Sequence, residues 1–281
     1  MLNLRSSHGS FGGTTEFYSH HSNCCNSEMK FSIYVPPQAK TQPVPVLYFL
    51  SGLTCSDENF MAKAGAQRIA ANLGIMLVSP DTSPREGADE SDHWDFGIGA
   101  SFYVDALLDP WRSHYQMYSY ITRELPALIT DSFPVLKSDN GEPIQSICGH
   151  SMGGHGALVC ALRSPNQYRS VSAFAPIGSP SRCAWGEKAF TGYLGTDRSL
   201  WSNYDASELV LHTIHQNPIL IDQGMADGFL ETQLKPELFE AACHASGQQL
   251  ILRRQPNYDH SYYFISSFIE DHLNHHHRFL R

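Results

Sequence analysis

The sequence lacks several features that identify membrane, secreted or nucleic-acid-binding proteins. No segment approaches the roughly 18 apolar residues of a membrane span, and residues 1–8 lack the apolar run of a signal peptide. Positive charge is scarce, because 19 basic side chains stand against 28 acidic ones and give a formal net charge of −9. We therefore expect no membrane partner and no nucleic-acid partner, and local groups must hold any anionic substrate.

Paired cysteines are also lacking. The seven cysteines are odd in number and show no CxxC spacing: Cys24, Cys25, Cys55, Cys148, Cys160, Cys183 and Cys243. A disulfide framework uses an even number of cysteines and a structural zinc site uses closely spaced ligands, so the sequence favours neither. We expect a reducing, cytoplasmic location and no bound metal.

Patterns typical of buried strands and of helices alternate along the 281 residues. The predicted strands are a hairpin over 14–21 and 29–35, then 45–50, 74–79, 143–148, 170–174, 218–222 and 249–253. The predicted helices are 58–72, 115–133, 157–162, 235–246 and one from about 261. This order indicates an α/β fold with a mostly parallel sheet and helices on both faces. We expect one domain over 1–281, with irregular excursions at about 80–112 and 176–200, and a ligand at the carboxyl ends of the strands.

A Gly-x-Ser-x-Gly motif, Gly149 to Gly153, lies between a predicted strand and a predicted helix. In a nucleophile elbow the serine stands on a tight strand-to-helix turn, which requires small residues two positions before and after it. Because the motif alone is common by chance, its position between strand and helix carries the argument. We therefore predict that Ser151 is a catalytic nucleophile.

A serine nucleophile needs a histidine to take its proton and a carboxylate to orient that histidine. In α/β-hydrolases both follow the serine, the acid first, in loops after late strands. Asp227 and His260 have these positions. Asp222, at a strand end, and Asp259, beside the histidine, are the alternatives. A strand-end aspartate more often bonds loop amides, and Asp259 is better placed to cap the last helix, so Asp227 is the predicted acid and His260 the predicted base.

Backbone amides usually stabilise the charge that develops on the reacting carbonyl oxygen. The amide of Met152, directly after the nucleophile, is one predicted donor. Leu53 follows Gly52 in the loop after an early strand, and its amide is the predicted second donor. Without this role, Leu53 is an ordinary loop leucine.

Most of the fifteen histidines are expected to be structural or solvated. His150 and His155 lie beside the nucleophile, and we expect them to pack or hydrogen-bond. His275 to His277 are expected to form an exposed helix end, and a metal site there is disfavoured.

Seven stretches of the sequence together resemble the S-formylglutathione hydrolases, the esterase D family of α/β-hydrolases. They are 50–60, 79–85, 94–97, 102–106, 149–156, 185–190 and 259–264, and they span most of the chain. The stretch 149–156, for example, reads Gly-His-Ser-Met-Gly-Gly-His-Gly. So many long matches are specific for the family.

The resemblance implies the α/β-hydrolase fold and an enzyme that cleaves the thioester S-formylglutathione to formate and glutathione, a step in formaldehyde removal. Its implied nucleophile, acid and base are Ser151, Asp227 and His260. Its implied oxyanion donors are the amides of Leu53 and Met152. These assignments agree with those made from the residues. The resemblance also implies no cofactor and a homodimer.

Substrate selectivity is less well defined. Ser101, where the family usually has glycine, and the run 107–109 depart from the family pattern. The carboxylates of glutathione require polar or cationic partners, and Lys188 in the second excursion is the candidate, although it is at least as consistent with a solvated surface lysine. Trp185 in the same excursion is a further candidate for substrate binding. Cys55 is either a second nucleophile or a small core thiol, and the core thiol is favoured.

Two other functions stay open at this point. The chain is consistent with a broader short-chain carboxylesterase, and an α/β-hydrolase fold can also serve as a non-catalytic binding module. The complete set of serine, aspartate and histidine disfavours the binding module. Relative turnover of S-formylglutathione and a short acyl ester separates the two enzymes.

Overall fold

A nine-stranded sheet forms the centre of the computed structural model, which describes residues 2–86 and 93–281. The strands are β1 (Asn3–Ser10), β2 (Gly13–Ser22), β3 (Ser27–Val35), β4 (Val46–Leu50), β5 (Met76–Pro80), β6 (Gln145–His150), β7 (Val171–Phe174), β8 (Ile219–Gly224) and β9 (Leu250–Gln255). Their order across the sheet is β1-β2-β3-β5-β4-β6-β7-β8-β9. All pairs among β4 to β9 are parallel, and β1 to β3 join antiparallel at one side. The predicted mostly parallel α/β sheet is confirmed.

The predicted hairpin is formed by β2 and β3, with Ser22 paired to Ser27 at its turn. The edge strand β1 is absent from the prediction. Most of its residues are exposed, so it has no alternation of buried and exposed positions that a sequence pattern would reveal.

Ten helices surround the sheet in the described residues. They are α1 (Asn59–Lys63), α2 (Gln67–Leu73), α3 (Met117–Ser119), α4 (Leu125–Ser132), α5 (Met152–Arg163), α6 (Ala184–Leu194), α7 (Arg198–Trp201), α8 (Ala206–Leu209), α9 (Pro236–Ser246) and α10 (Tyr262–His277). Short 3₁₀ segments cover Pro37–Lys40, Trp111–Ser113, Pro180–Arg182 and Ser202–Tyr204, and π-helical turns cover Tyr120–Glu124 and Leu230–Leu234. Within the described chain, no helix has the length and apolar character to cross a bilayer.

Two predicted helices are interrupted. The helix expected over 58–72 is split into α1 and α2 by Gly65, whose φ of +69° lies in the left-handed region that a right-handed helix cannot continue through. The helix expected over 115–133 contains the π-helical turn Tyr120–Glu124 between α3 and α4. This turn ends directly before the segment that contains Pro126, which cannot donate a backbone hydrogen bond.

The second expected excursion, 176–200, is partly helical. Trp185, Ala189 and Tyr193 recur every four residues along α6 and are buried. One face of this helix therefore packs on the core, and the expectation of irregular structure is wrong there. Part of the first excursion, 87–92, lies outside the described residues.

Helices cover both faces of the sheet, as predicted. Cys148 and Gly149 are consecutive in β6, so they point to opposite faces. The Cys148 Sγ lies 3.9 Å from Nδ1 of His272 in α10. A Cβ on Gly149 would lie 2.1 Å from the carbonyl oxygen of Gly153 in α5. The α5 and α10 helices therefore pack on opposite sides of β6.

The histidine run near the end of α10 is largely buried. His276 is fully buried, and its two ring nitrogens lie 2.7 Å from the hydroxyls of Ser170 and Ser172. His275 is also buried, and His277 is partly exposed. The expectation of an exposed helix end is wrong for the first two residues, because α10 lies on the sheet to its last turn.

Candidate active site

Ser151 stands on the turn between β6 and α5 with φ 58° and ψ −120°, a conformation that non-glycine residues rarely adopt. Backbone bonds hold this turn: the Ser151 amide donates to Phe174 O at 2.9 Å, and the Ser151 carbonyl accepts from the amide of His155 at 2.9 Å. The turn also brings the backbone of α5 close to the end of β4, because a Cβ on Gly153 would lie 2.0 Å from Leu50 O. Only glycine fits there, so the motif builds a strained turn that holds Ser151 at the wall of a cavity.

Asp227 and His260 form a hydrogen-bonded pair. Nδ1–H of His260 donates to Oδ2 of Asp227 at 2.5 Å, and the other carboxylate oxygen accepts from the amide of Phe229 at 2.8 Å. The Asp227 side chain is fully buried, whereas that of His260 is 19 % exposed. Because the carboxylate holds the proton on Nδ1, Nε2 of His260 carries a lone pair that can accept a proton. His260 and Ser151 line the same cavity.

The alternative acids have other partners. Asp222 accepts hydrogen bonds from Gln255 at 2.7 Å and His272 at 3.0 Å, and it pairs with Arg253. Burial alone would raise the pKa of Asp222, but the donors from His272, Arg253 and Gln255 lower it to about 2. Asp259 accepts from the amide and hydroxyl of Ser261, at 3.0 and 2.6 Å, at the start of α10. Among the residues that the structure describes, Asp227 is the one of these three carboxylates that is hydrogen-bonded to the His260 ring.

The two histidines beside the nucleophile are buried. The ring of His150 lies against that of His260, with centroids 4.4 Å apart, and burial holds its pKa well below the usual range, with a further lowering from His260. Nε2 of His155 is bonded to Phe102 O at 2.9 Å, and burial lowers the pKa of His155 to about 4. Both rings are therefore neutral at pH 7.

The loop after β4 lies directly against the nucleophile. A Cβ on Gly52 would lie 3.1 Å from the Cβ of Ser151, and Leu53 lines the cavity. Met152 is the first residue of α5, where an amide has no acceptor within the helix. The predicted oxyanion amides, those of Leu53 and Met152, therefore belong to segments that meet at Ser151.

Residues that the sequence did not single out fix this loop. The carbonyl of Cys55 accepts from the Thr82 hydroxyl and from Nη2 of Arg85, both at 2.6 Å, and Arg85 also binds both oxygens of Asp81. The amide of Thr54 donates to Gly99 O at 2.9 Å. The matching stretch 79–85 contains three of these residues, but a sequence pattern does not show which loop they contact.

The cavity beside Ser151 has a volume of about 250 Å³ and mostly apolar walls. The lining residues are Gly52, Leu53, Thr54, Cys55, Trp94, His150, Ser151, Trp185, Phe229, His260, Ser261 and Tyr262. Four rings follow one another along the lining: the centroids of Trp94 and Trp185 are 5.4 Å apart, those of Trp185 and Phe229 4.7 Å, and those of Phe229 and His260 5.1 Å. The sequence hypothesis lacked Phe229 and Tyr262, although each lies two residues after a predicted site residue.

Two of the three predicted substrate-binding residues lie at the cavity beside Ser151, and the third does not. Trp185 and Cys55 line the cavity, and Cys55 is half-buried at its wall rather than in the core. Burial raises the pKa of the Cys55 thiol, and the positive charge of Lys63 opposes that rise. Lys188 lies elsewhere, in an ion pair with Asp95 in a separate cleft.

The residues that depart from the family pattern are not among those that line the cavity. Ser101 is fully buried, and its hydroxyl donates to Thr82 O at 2.5 Å, so it supports the segment that holds the Cys55 carbonyl. Leu107 and Leu108 are exposed. In the part of the chain that the structure describes, no group of three or more histidine, cysteine or acidic side chains is arranged to hold a metal.

Comparison with known proteins agrees with this architecture. A solved S-formylglutathione hydrolase from Agrobacterium tumefaciens matches with a TM-score of 0.95 and 50 % identity, covering 99 % of this chain and 100 % of that one. A ferulic acid esterase matches with a TM-score of 0.75 at 18 % identity, which shows a shared fold alone. The sheet, its helices and these matches define an α/β-hydrolase.

Sequence comparison gives the family. The family model Esterase, described as "Putative esterase", matches residues 22–275. S-formylglutathione hydrolase of Bos taurus is 52 % identical over 276 residues, which is 96 % of this chain and 95 % of that protein. S-formylglutathione hydrolase of Mus musculus is 52 % identical over 281 residues, 98 % of this chain and 97 % of that protein. The chain belongs to the esterase family that contains these S-formylglutathione hydrolases.

Proposed function

We propose that this protein is a serine hydrolase that cleaves S-formylglutathione to formate and glutathione. The observation that carries the proposal is the bond from Nδ1–H of His260 to Asp227, in a cavity that Ser151 also lines. The substrate is inferred from the relatives, which bear this activity in their names at 52 % identity over nearly the whole chain.

In the proposed reaction, Nε2 of His260 takes the proton of the Ser151 hydroxyl while Oγ attacks the formyl carbon. Asp227 keeps the Nδ1 proton in place and stabilises the imidazolium. The C–S bond then breaks and glutathione leaves as a thiolate, which receives the proton from His260. Because a thiolate leaves more readily than an alkoxide, little acid catalysis is needed at this step.

The second half of the reaction releases the formyl group from the enzyme. A water molecule gives a proton to Nε2 of His260 and attacks the formyl-serine. The ester bond to Ser151 then breaks, His260 returns that proton to Oγ of Ser151, and formate leaves. In both halves, the negative charge on the carbonyl oxygen is assigned to the amides of Leu53 and Met152. The low-polarity walls of the cavity strengthen such hydrogen bonds, because little water screens them.

The small acyl group fits the dimensions of this cavity. Trp185 and Cys55 form part of its wall, and the volume of about 250 Å³ leaves little room for a long acyl chain beside a thiol. We assign Trp185 and Cys55 to substrate contact, with Cys55 as a neutral thiol and not as a nucleophile.

The test compares kcat/KM for S-formylglutathione with kcat/KM for a short, neutral acyl ester. The proposal expects the glutathione thioester to be turned over far more efficiently. A preference for the ester would favour the broader carboxylesterase, and failure to hydrolyse either would favour a binding module.

We further propose that the enzyme acts as a single-domain homodimer in the cytoplasm. All seven cysteines are free, which is typical of a reducing compartment. The dimer rests on the resemblance to the family. Sedimentation of the purified protein at micromolar concentration tests it, and a monomer mass would contradict it.

A further inference from the structure

A second cavity adjoins the one beside Ser151. It has a volume of about 520 Å³ and is lined by Lys63, Ser261, Tyr262, Tyr263 and Ser266. Ser261 and Tyr262 also line the first cavity, so the two share a wall. The first cavity alone is below the roughly 300–1,000 Å³ of pockets that hold drug-sized ligands. A formyl group and its sulfur fit there, but the peptide of a glutathione adduct must extend beyond it.

Lys63 is the charged group in this second cavity. Of the described residues that line it, Lys63 alone carries a charge, and its Nζ lies 5.7 Å from the centre of the Tyr262 ring. The two carboxylates just before α1, Asp57 and Glu58, both pair with Arg5. Over residues 2–86 and 93–281, no carboxylate forms an ion pair with Lys63, so its charge is available to a ligand.

The charge of Lys63 also reaches the wall of the first cavity. It is the largest of the charges that oppose the raised pKa of the Cys55 thiol, and Cys55 lines that cavity. Tyr263, which is 85 % exposed, lines the same cavity as Lys63, and its phenol can donate a further hydrogen bond. Because the two cavities share a wall, one substrate molecule can place a carboxylate in the second cavity while its thioester lies at Ser151.

We propose that the second cavity is a subsite for an anionic peptide thiol, in which Lys63 binds a carboxylate of the glutathione half of the substrate. This inference rests on the proposed function, because it assigns the part of the substrate that remains outside the first cavity. Glutathione carries carboxylates at both ends of a short peptide whose thiol forms the thioester. An ammonium beside the reactive cavity suits that chemistry.

The other candidate cation has a different environment. Lys188 is already paired with Asp95, and the cleft that it lines shares no described residue with the cavity beside Ser151. A carboxylate would have to displace Asp95 there. The structure therefore favours Lys63 over the residue that the sequence suggested.

The experiment measures substrate selectivity and product inhibition for Lys63→Met, which keeps the length of the side chain and removes its charge. The ratio of kcat/KM for S-formylglutathione to that for a neutral short-chain ester should fall about tenfold, mainly through KM for the thioester. Inhibition of ester hydrolysis by free glutathione should weaken by a similar factor. Lys63→Arg should restore most of both effects, and Lys137→Met, an exposed lysine outside both cavities, is the matched control.

The outcomes separate this inference from the proposed function. If the unmodified protein hydrolyses the ester but not S-formylglutathione, the proposed function fails and the subsite with it. If it hydrolyses S-formylglutathione while Lys63→Met keeps the original selectivity and glutathione inhibition, the subsite alone is wrong. A loss of selectivity in Lys188→Met instead of Lys63→Met would also overturn it.

Discussion

Two aspartate–histidine pairs lie near the end of the same strand, β8, and they differ in burial and in access to a cavity. Asp227 binds His260, which faces the cavity and is 19 % exposed. Asp222 binds His272, and both of these side chains are fully buried between the sheet and α10. The second pair even has a serine, because Nδ1 of His272 lies 2.8 Å from the Ser172 hydroxyl.

The comparison shows what a serine, a histidine and an aspartate need besides proximity. Ser172 lies within the regular strand β7, and its hydroxyl is shared with His276 at 2.7 Å. No substrate carbonyl can reach a hydroxyl that is fully buried. Ser151 instead stands on a strained turn beside a cavity. The set of Ser172, His272 and Asp222 is suited to holding α10 on the sheet, and the set beside the cavity is suited to acyl transfer.

The largest expected difference is between the two serines. Ser151→Ala should lower kcat for S-formylglutathione by about 10⁴-fold or more, because no other group can form the acyl intermediate. Ser172→Ala should keep kcat within about twofold and lower the free energy of unfolding by about 1–2 kcal/mol, through the loss of its hydrogen bonds to two histidines. Steady-state kinetics and urea unfolding of both variants measure this, and retained turnover in Ser151→Ala would reject the assignment.

The two carboxylates should differ nearly as much. Asp227→Asn should reduce kcat by about 10³–10⁴-fold, because an amide no longer holds the Nδ1 proton on His260. Asp222→Asn should destabilise the fold by about 3 kcal/mol, since it breaks a buried pair with Arg253 and His272, but should change kcat only a few-fold. A greater loss of kcat for Asp222→Asn than for Asp227→Asn would move the acid role to Asp222.

The α10 histidines also predict how stability depends on pH. Burial lowers the pKa of His276 well below its usual value of 6.5, so the unfolded chain binds more protons than the folded chain at pH values below about 6.5. The stability from neutral His276 is complete above that pH and is lost as the pH falls. The free energy of unfolding should therefore decrease from pH 7.5 to 5.5, and more gently in His276→Gln. Equal slopes for the two proteins would show that His276 does not contribute.

The smallest expected effect concerns Cys55, whose thiol lines the same cavity as Ser151. Because burial raises its pKa, the thiol is protonated near neutral pH and is a poor nucleophile. Cys55→Ser should change kcat/KM by less than about threefold. A loss comparable to that of Ser151→Ala would instead give Cys55 a direct role in the chemistry.

Much of the fold was predictable because its signals are local. The apolar runs of β4 and β5 lie at the centre of the sheet, and the glycines around Ser151 mark the elbow. The exposed edge strand β1 has no such signal. The spacing of Trp185, Ala189 and Tyr193 did contain the helical signal for α6, and Gly65 was a visible site for the break between α1 and α2.

The candidate site was predictable only where chain order reflects the fold. Asp227 and His260 follow late strands, and the structure brings them together, although their roles stay predictions until the variants are measured. Lys63 and Lys188 illustrate the limit. Both are lysines in or near family-like stretches. Only the three-dimensional structure reveals that Asp95 pairs with Lys188, while Lys63 lines the second cavity, which adjoins the one beside Ser151.

Covalent labelling tests the central claim most directly. The protein is treated with a serine-directed fluorophosphonate, digested, and mapped by mass spectrometry, with Ser151→Ala and Ser172→Ala in parallel. We predict one adduct per chain on the peptide that contains Ser151, unchanged in Ser172→Ala and absent in Ser151→Ala, with loss of S-formylglutathione hydrolysis in proportion to labelling. Full inactivation with the adduct on Ser172, Cys55 or any other residue would contradict the account.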